Sequence, residues 1–395
     1  MGEPSVVFIP TPLKDPITGG ERYEAKLLGF LRKRLRNVEP VKMDVLQLQL
    51  KARKSGCEMV FIGLRSIIRN LLYVLRITKR KRDRSTDRTV VLENAYYSLD
   101  LFLFNFLVRR IRRNVVIVPM VHHLNYILEE RRFYRILLKA VETSFLNESD
   151  WVIVNSEATE KDVKELLEGQ KKILVAYPGL DKEKMASKRV VHSPEDRPLR
   201  ILGVGSVTER KDLETFLKAI KVLIRRSSKV RFSVDIVGDL EKDREFSKRM
   251  ADIADALVLS NHVAFNGRVD DTKLHEFYAR SDIFVSTSLH EGFGMAIAEA
   301  MYNRLPVVAM NCGAVPFLVE DGVNGFLVPP KDYERLAERI RLLLESGELR
   351  KKMGAKGFHK AKKFDWDRTF RRIYETLLET QTMSLEGCHS GITDK

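Results

Sequence analysis

Short, strongly apolar runs alternate with amphipathic stretches along the whole of this chain. Val6–Ile9, Thr89–Asn94, Val115–Val121, Trp151–Ser156 and Lys172–Tyr177 are such runs in the first half. Leu199–Val204, Phe232–Val237, Val263–Val269, Ser281–Val285 and Pro306–Met310 continue the series in the second. Near-continuous apolar character is the habit of strands buried on both faces, as in parallel sheets. Helical spacing fills the intervals: Gly20 to about Arg36, Leu99–Val108, Phe133–Phe145, Glu157–Leu167, Leu213–Arg226, Met295–Tyr302, Tyr333–Leu344 and Glu348–Lys363. The alternation predicts an α/β protein built on doubly wound parallel sheets.

Asp181–Pro198 breaks the alternation, being polar, charged and interrupted by Pro194 and Pro198. It reads as a linker. The 395 residues then divide into domains at 1–181 and 199–364, joined by 182–198. This matches what one hydrophobic core can organise. Asp365-Trp366-Asp367 opens a last helix to about Thr380, and 381–395 is a polar tail.

No apolar run is long enough to cross a membrane. Met1-Gly2-Glu3-Pro4 has neither a basic segment nor a long apolar one behind it, so no signal peptide is expected. Cys57, Cys312 and Cys388 form no CxxC pair and no zinc pattern, which fits a reducing cytoplasm. The net charge of +15 is uneven. Residues 1–190 carry 36 Lys and Arg against 23 Asp and Glu, whereas the remainder carries 33 against 31. The most basic part, 51–84, ends in Lys79-Arg80-Lys81-Arg82 beside Leu71, Leu72, Tyr73 and Leu75. Such a stretch is either a solvated helix end or a contact with anionic lipid at the cytoplasmic membrane face.

The chain is organised around Ser286–Glu299, where an apolar strand runs into a glycine turn and a helix start. Gly292 and Gly294 carry no Cβ, so backbone N–H groups can approach a ligand. The helix start favours an anion or a dense set of hydroxyls. Glu291 sits on the turn and Glu299 about two helical turns in. Spacing alone leaves two readings: solvated helix carboxylates, or a pair that takes polyol hydroxyls.

Gly203-Val204-Gly205 begins a dinucleotide-like fingerprint, but its third glycine position is Thr208, which counts against NAD. The same loop places Arg210 and Lys211 at the expected start of a helix. Cations oppose the dipole there unless an anion such as a diphosphate is their purpose. His122-His123 ends a parallel strand on the edge where such sheets bind ligands. Gly19-Gly20 precedes the first helix, either as turn chemistry or as a close approach to a ligand. No Asp-x-Asp follows a strand, so no metal is expected.

Taken in order, these motifs resemble those of the retaining GT-B glycosyltransferases of the family 4 group, the glycosyl transferases group 1. Glu291-Gly292-Phe293-Gly294 with Glu299 is similar to their E-x7-E motif, and Gly205 to Lys211 is similar to their Gly-x4-Arg-Lys segment. The likeness covers nearly the whole chain. It implies two Rossmann-like domains facing each other across a cleft, with the C-terminal helix crossing back to the first. It implies a nucleoside-diphosphate-sugar as donor and co-substrate, and no further cofactor. Arg210 and Lys211 would neutralise the leaving diphosphate, which Gly19, Gly20 and Gly205 approach. Glu291 and the backbone of Gly292, Phe293 and Gly294 would hold the sugar, and Glu299 the ribose. Arg268 and Val269 would lie by the base, and His122, or failing it His123, would face the transferred sugar. Closure of the domains would exclude water. The chain departs from the pattern at Pro178, Leu240, Cys312 and Phe317, which stand where Asn, Gly, Gly and Glu are usual.

The resemblance points to a hexosyltransferase acting on a hydroxyl acceptor, lipid-linked or polysaccharide. A GT-B epimerase or hydrolase shares the fold and needs no acceptor. A nucleic-acid-binding protein is disfavoured, because the basic residues are not interleaved with exposed aromatics and no recognised module is present. A phosphorylase lacks its pyridoxal-lysine motif here.

Overall fold

The computed structural model describes residues 5–9, 19–40, 89–95, 98–111, 115–185, 197–226 and 230–382. The basic stretch 51–84, most of the expected linker and the tail from 383 lie outside them. The chain divides into two compact units, one formed by Met1–Pro178 with Trp366–Lys395 and the other by Gly179–Asp365.

The first unit holds β1 (Ser5–Ile9), α1 (Gly19–Arg34), β2 (Val38–Pro40), β3 (Thr89–Asn94), α2 (Ser98–Ile111), β4 (Val115–Val121), α3 (Asn125–Leu128), α4 (Arg132–Asn147), β5 (Trp151–Val154), α5 (Glu157–Lys164) and β6 (Lys172–Val175). Its sheet is parallel throughout, in the order β2-β1-β3-β4-β5-β6. The pleat sends alternate residues to opposite faces. Val6, Phe8, Leu92 and Val118 pack with Tyr23, Leu27 and Leu31 of α1. Val7, Val91 and Val152 pack with Leu101 of α2, Phe145 of α4 and Val163 of α5. Ser156 caps α5 by accepting from the Thr159 N–H at 3.1 Å. This helix ends at Lys164, short of the expected Leu167, because its last turn tightens to a bond from the Leu166 N–H to the Val163 carbonyl.

The second unit holds α6 (Lys182–Met185), β7 (Leu199–Val204), α7 (Leu213–Arg226), β8 (Phe232–Val237), α8 (Arg244–Ala256), β9 (Val263–Phe265), α9 (Asp271–Arg280), β10 (Ile283–Ser286), α10 (Met295–Tyr302), β11 (Val307–Met310), α11 (Val315–Leu318), β12 (Gly325–Val328), α12 (Tyr333–Glu345) and α13 (Gly347–Ala361). Its parallel strands run in the order β12-β11-β10-β7-β8-β9. The order reverses between β7 and β10, and ligands of open α/β sheets bind outside the carboxyl ends of such a strand pair. The helical turn α6 occupies the start of the stretch expected to be a structureless linker. The strand expected over Val263–Val269 stops at Phe265, because Gly267 turns the backbone left-handed at φ 64°.

The last helix, α14 (Trp366–Thr382), contributes Phe370, Ile373 and Leu377 to the core of the first unit. The Thr369 hydroxyl donates to the Tyr177 carbonyl at 2.7 Å, and Trp366 stacks on Phe370. Among the described residues no helix is long and apolar enough to cross a membrane.

Candidate active site

Two loops meet at the switch point of the second sheet. The first follows β7. Gly205 lies at φ 153°, and a Cβ on it would stand 2.9 Å from the Lys211 Cε. Beyond it, Glu209–Lys211 forms a single 3-10 turn, and Asp212 follows in the left-handed region at φ 44°. Arg210 and Lys211 therefore stand on this turn rather than at the start of α7, where the sequence led us to expect them. The difference removes the conflict with the helix dipole.

The second loop follows β10, and main-chain bonds tie it to the first. The Thr287 hydroxyl donates to the Lys211 carbonyl at 2.8 Å, and the Leu289 N–H donates to the Arg210 carbonyl at 2.8 Å. The Arg210 guanidinium donates to the His290 carbonyl at 2.7 Å. Lys211 Nζ donates to Glu291 Oε1 at 2.5 Å, and the Ser288 hydroxyl reaches the same oxygen at 2.7 Å. Arg210 Nη1 is 3.6 Å from it. Among the described residues none of these bonds falls on Glu291 Oε2.

The charges follow from this geometry. Burial alone would raise the Glu291 pKa, but Lys211, then Arg210, and the hydrogen bonds from Lys211 and Ser288 bring it down to about 2. Burial holds the Lys211 ammonium below its ordinary range, with Glu291 opposing that effect. Burial, then Arg210, lowers His290. The Cys312 thiol is pushed up to about 12 by burial and by Glu291, and it donates to the Ser288 carbonyl at 2.9 Å. Cys312 thus acts as a thiol that braces the loop. Gly313 must lack a side chain, because a Cβ would fall 2.3 Å from the Glu291 carbonyl oxygen and φ is 48°. That carbonyl accepts from the Ala314 N–H at 2.8 Å.

Gly294, at φ 96°, turns the chain into α10. Phe293 is buried edge-on against Phe364, so its side chain anchors the loop. Glu299 is the fifth residue of α10, one turn in rather than two, because Glu291–Gly294 is not helical. It is buried, and it accepts from the Tyr278 hydroxyl at 2.9 Å, which rules out a solvated helix carboxylate. Arg268 and Val269 lie in the loop after β9; Arg268 is exposed, and among the described residues no hydrogen bond or ion pair joins either to Arg210, Lys211 or Glu291.

In the first unit, Gly19 and Gly20 are the first residues of α1, and His122 directly follows β4. A Cβ on Gly20 would lie 3.0 Å from His122 Cδ2, so the glycine makes room for the imidazole. His122 Nε2 is 3.5 Å from Oε1 of the fully buried Glu24, which also accepts from the Asn94 amide. Tyr23 meets the imidazole edge-on, and Asn155 donates to the His122 carbonyl at 3.0 Å. His123 is half-buried beside it. Next to Asn94, Glu93 is fully buried, and its pKa is raised to about 8 by burial, against the hydrogen bond from Asn105.

Sequence reasoning passed over Glu24, Asn94, Thr287 and Ser288. Glu24 had a legible signal, since it occupies the apolar stripe of α1 between Tyr23 and Leu27. Among the described residues no group of three or more His, Cys, Asp or Glu side chains is placed to hold a metal ion.

Residues 181–360 match the family described as Glycosyl transferases group 1, and residues 55–184 match Glycosyltransferase Family 4. The matches together span 55–360, well over half of the chain. The chain belongs to the group 1 glycosyltransferases. Among curated members it is similar to D-inositol 3-phosphate glycosyltransferase of Corynebacterium urealyticum, 28% identical over 62% of this chain and 60% of that protein. It is also similar to the amylovoran biosynthesis glycosyltransferase AmsK of Erwinia amylovora, 32% identical over 45% of this chain and 43% of that protein. The chain thus spans three fifths or less of the length of these relatives. Among solved structures, the sucrose-phosphate synthase of Thermosynechococcus elongatus superposes with a TM-score of 0.75 at 17% identity, covering 97% of this chain and all of that one. Anabaena HepE, solved in complex with UDP and glucose, gives 0.69 at 20% identity over 95% of this chain and 99% of that one. The likeness establishes the GT-B class of α/β fold that the sequence motifs implied.

Proposed function

We propose that this group 1 glycosyltransferase moves a sugar from a nucleoside-diphosphate-sugar to a hydroxyl acceptor with retention of anomeric configuration. The observation that carries the reading is the convergence of Arg210, Lys211 and Glu291 at the β7–β10 switch point. Two cations on one loop suit a diphosphate, and a carboxylate with one oxygen unbonded among the described residues suits sugar hydroxyls. HepE, of like fold, was solved with UDP and glucose, which favours a UDP-type donor.

In the reaction the bond from the anomeric carbon to the diphosphate oxygen breaks, and its electron pair leaves with the diphosphate. Arg210, the remaining N–H donors of Lys211 and the loop backbone offset the developing negative charge without reorganising. Glu291 Oε2 accepts from a sugar hydroxyl and fixes the ring. Glu299 accepts from the ribose. The acceptor oxygen bonds to the anomeric carbon on the face that the diphosphate leaves, and its proton passes to the departing phosphate oxygen. His122, with its Nε2 3.5 Å from Glu24 Oε1, orients the sugar. The cations supply the charge that a metal would otherwise provide. The surplus of 36 cations over 23 anions in residues 1–190 suits a lipid-linked or polyanionic acceptor in the cytoplasm.

The test is release of nucleoside diphosphate from UDP-, GDP- and ADP-sugars with and without lipid and polysaccharide acceptors. Acceptor-dependent release, with an anomeric coupling constant unchanged in the product, supports the reading. Equal turnover without acceptor favours a hydrolase or epimerase of the same fold.

A further inference from the structure

The outward face of α4 carries a feature that the transfer reaction does not use. Phe133 is 73% exposed, Ile136 62% and Leu137 47%, at the spacing that places them side by side on one helix face. Arg132, Arg135 and Lys139 are exposed around them. The far end of this helix is fixed. Phe145 and Leu146 are core residues, and the buried Glu142 accepts from the Asn125 N–H at 2.7 Å and from the Tyr126 N–H at 3.2 Å. The near end is fixed by Arg131, which donates to both oxygens of Glu129 at 2.8 Å and lies over the Tyr134 ring. A rigid helix therefore presents its first turns to solvent.

Two features of this face work against the stability of the isolated protein. Large apolar side chains stand in water. Arg132 opens a helix that has no acidic residue in its first turn and no capping side chain, so its cation faces the positive end of the dipole. An apolar tip edged with cations matches the boundary of an anionic bilayer, where acyl chains lie beneath phosphate. A second copy of the chain fits poorly, since a two-fold contact would set Arg132, Arg135 and Lys139 against their own equivalents. The acids at this end are the exposed Glu130 and the half-buried Glu129, which is paired with Arg131.

We propose that the face of α4 formed by Phe133, Ile136 and Leu137, with Arg132, Arg135 and Lys139, docks the protein on an anionic lipid surface. The docking is independent of the donor site.

The test is sedimentation of the full chain with vesicles of phosphatidylcholine alone or mixed with phosphatidylglycerol. Wild type should bind the anionic vesicles and largely ignore the neutral ones. Phe133→Ser/Ile136→Ser and, separately, Arg132→Gln/Arg135→Gln should each lower partitioning on the order of tenfold. Because these side chains are exposed, the melting temperature should stay at the wild-type value. Adding Phe133→Ser/Ile136→Ser to a chain in which Lys79, Arg80, Lys81 and Arg82 are all Gln should lower binding further. Equal binding of the apolar variant and wild type would assign the contact elsewhere and overturn the proposal. So would wild type that ignores anionic vesicles, or an apolar variant that changes only the oligomeric state seen by light scattering.

Discussion

Lys211 Nζ donates to Glu291 Oε1 at 2.5 Å, joining the loop after β7 to the loop after β10 across the point where the strand order of the second sheet reverses. Lys211→Met would leave Glu291 as a largely buried carboxylate without its nearest cation. A loss of about 2–3 kcal/mol in urea unfolding is expected. Glu291→Gln in the same chain should restore much of it, because the uncompensated charge is gone. Additive losses in the double variant would show that the two groups are not coupled.

Gly313 and Gly322 form a matched pair of left-handed glycines. Gly313→Ala carries the strain of φ 48° and drives a Cβ to 2.3 Å from the Glu291 carbonyl oxygen. Gly322→Ala, at φ 72°, meets nothing within 4 Å. The second should cost about 1 kcal/mol and leave donor affinity alone. The first should cost more and weaken donor binding, read by calorimetric titration with nucleotide, because the Glu291 backbone must shift.

Two carboxylates give the protein opposite pH dependences. Glu93 has a raised pKa, so its contribution to stability is complete below about 4.5 and is lost as pH rises through about 8. Glu93→Gln imitates the protonated acid and keeps an amide for Asn105. It should flatten this alkaline fall and gain on the order of a few kcal/mol near pH 8. Glu291 has a lowered pKa, so its contribution is present above about 4.5 and is lost as pH falls through about 2. Chemical denaturation across the pH range checks both signs.

In the proposed reaction Glu24 acts through His122 rather than on the substrate. Glu24→Gln keeps the shape of the side chain and removes the charge 3.5 Å from the imidazole. Turnover should fall on the order of tenfold or more, with nucleotide affinity unchanged. Gly20→Ala should act in the same direction by pressing on His122 Cδ2.

The strands were legible because parallel sheets need residues that are apolar on both faces. Leu199–Val204 and Phe232–Val237 have the limits expected of them. Helices α8 and α9 escaped the reading of apolar runs. Each buries only three side chains, and their start signals are the Asp243 and Asp270 caps. Glu291, Arg210 and Lys211 could be singled out because charged residues beside glycines at strand ends have few other uses. Their mutual arrangement could not, since it rests on the left-handed Asp212 and on Thr287 and Ser288 bonds between distant segments. Glu24 and Asn94 meet only in three dimensions.

The donor site is the central claim, and nucleotide binding tests it most directly. Thermal shifts should be recorded with UDP, GDP and ADP for wild type and Arg210→Ala side by side. One diphosphate should stabilise wild type clearly, by about 3 kcal/mol at a hundredfold excess over its dissociation constant. Arg210→Ala should lose most of that shift while melting near the wild-type temperature without ligand. Absence of a shift with all three diphosphates, or an undiminished shift in Arg210→Ala, would contradict the site assigned to Arg210, Lys211 and Glu291.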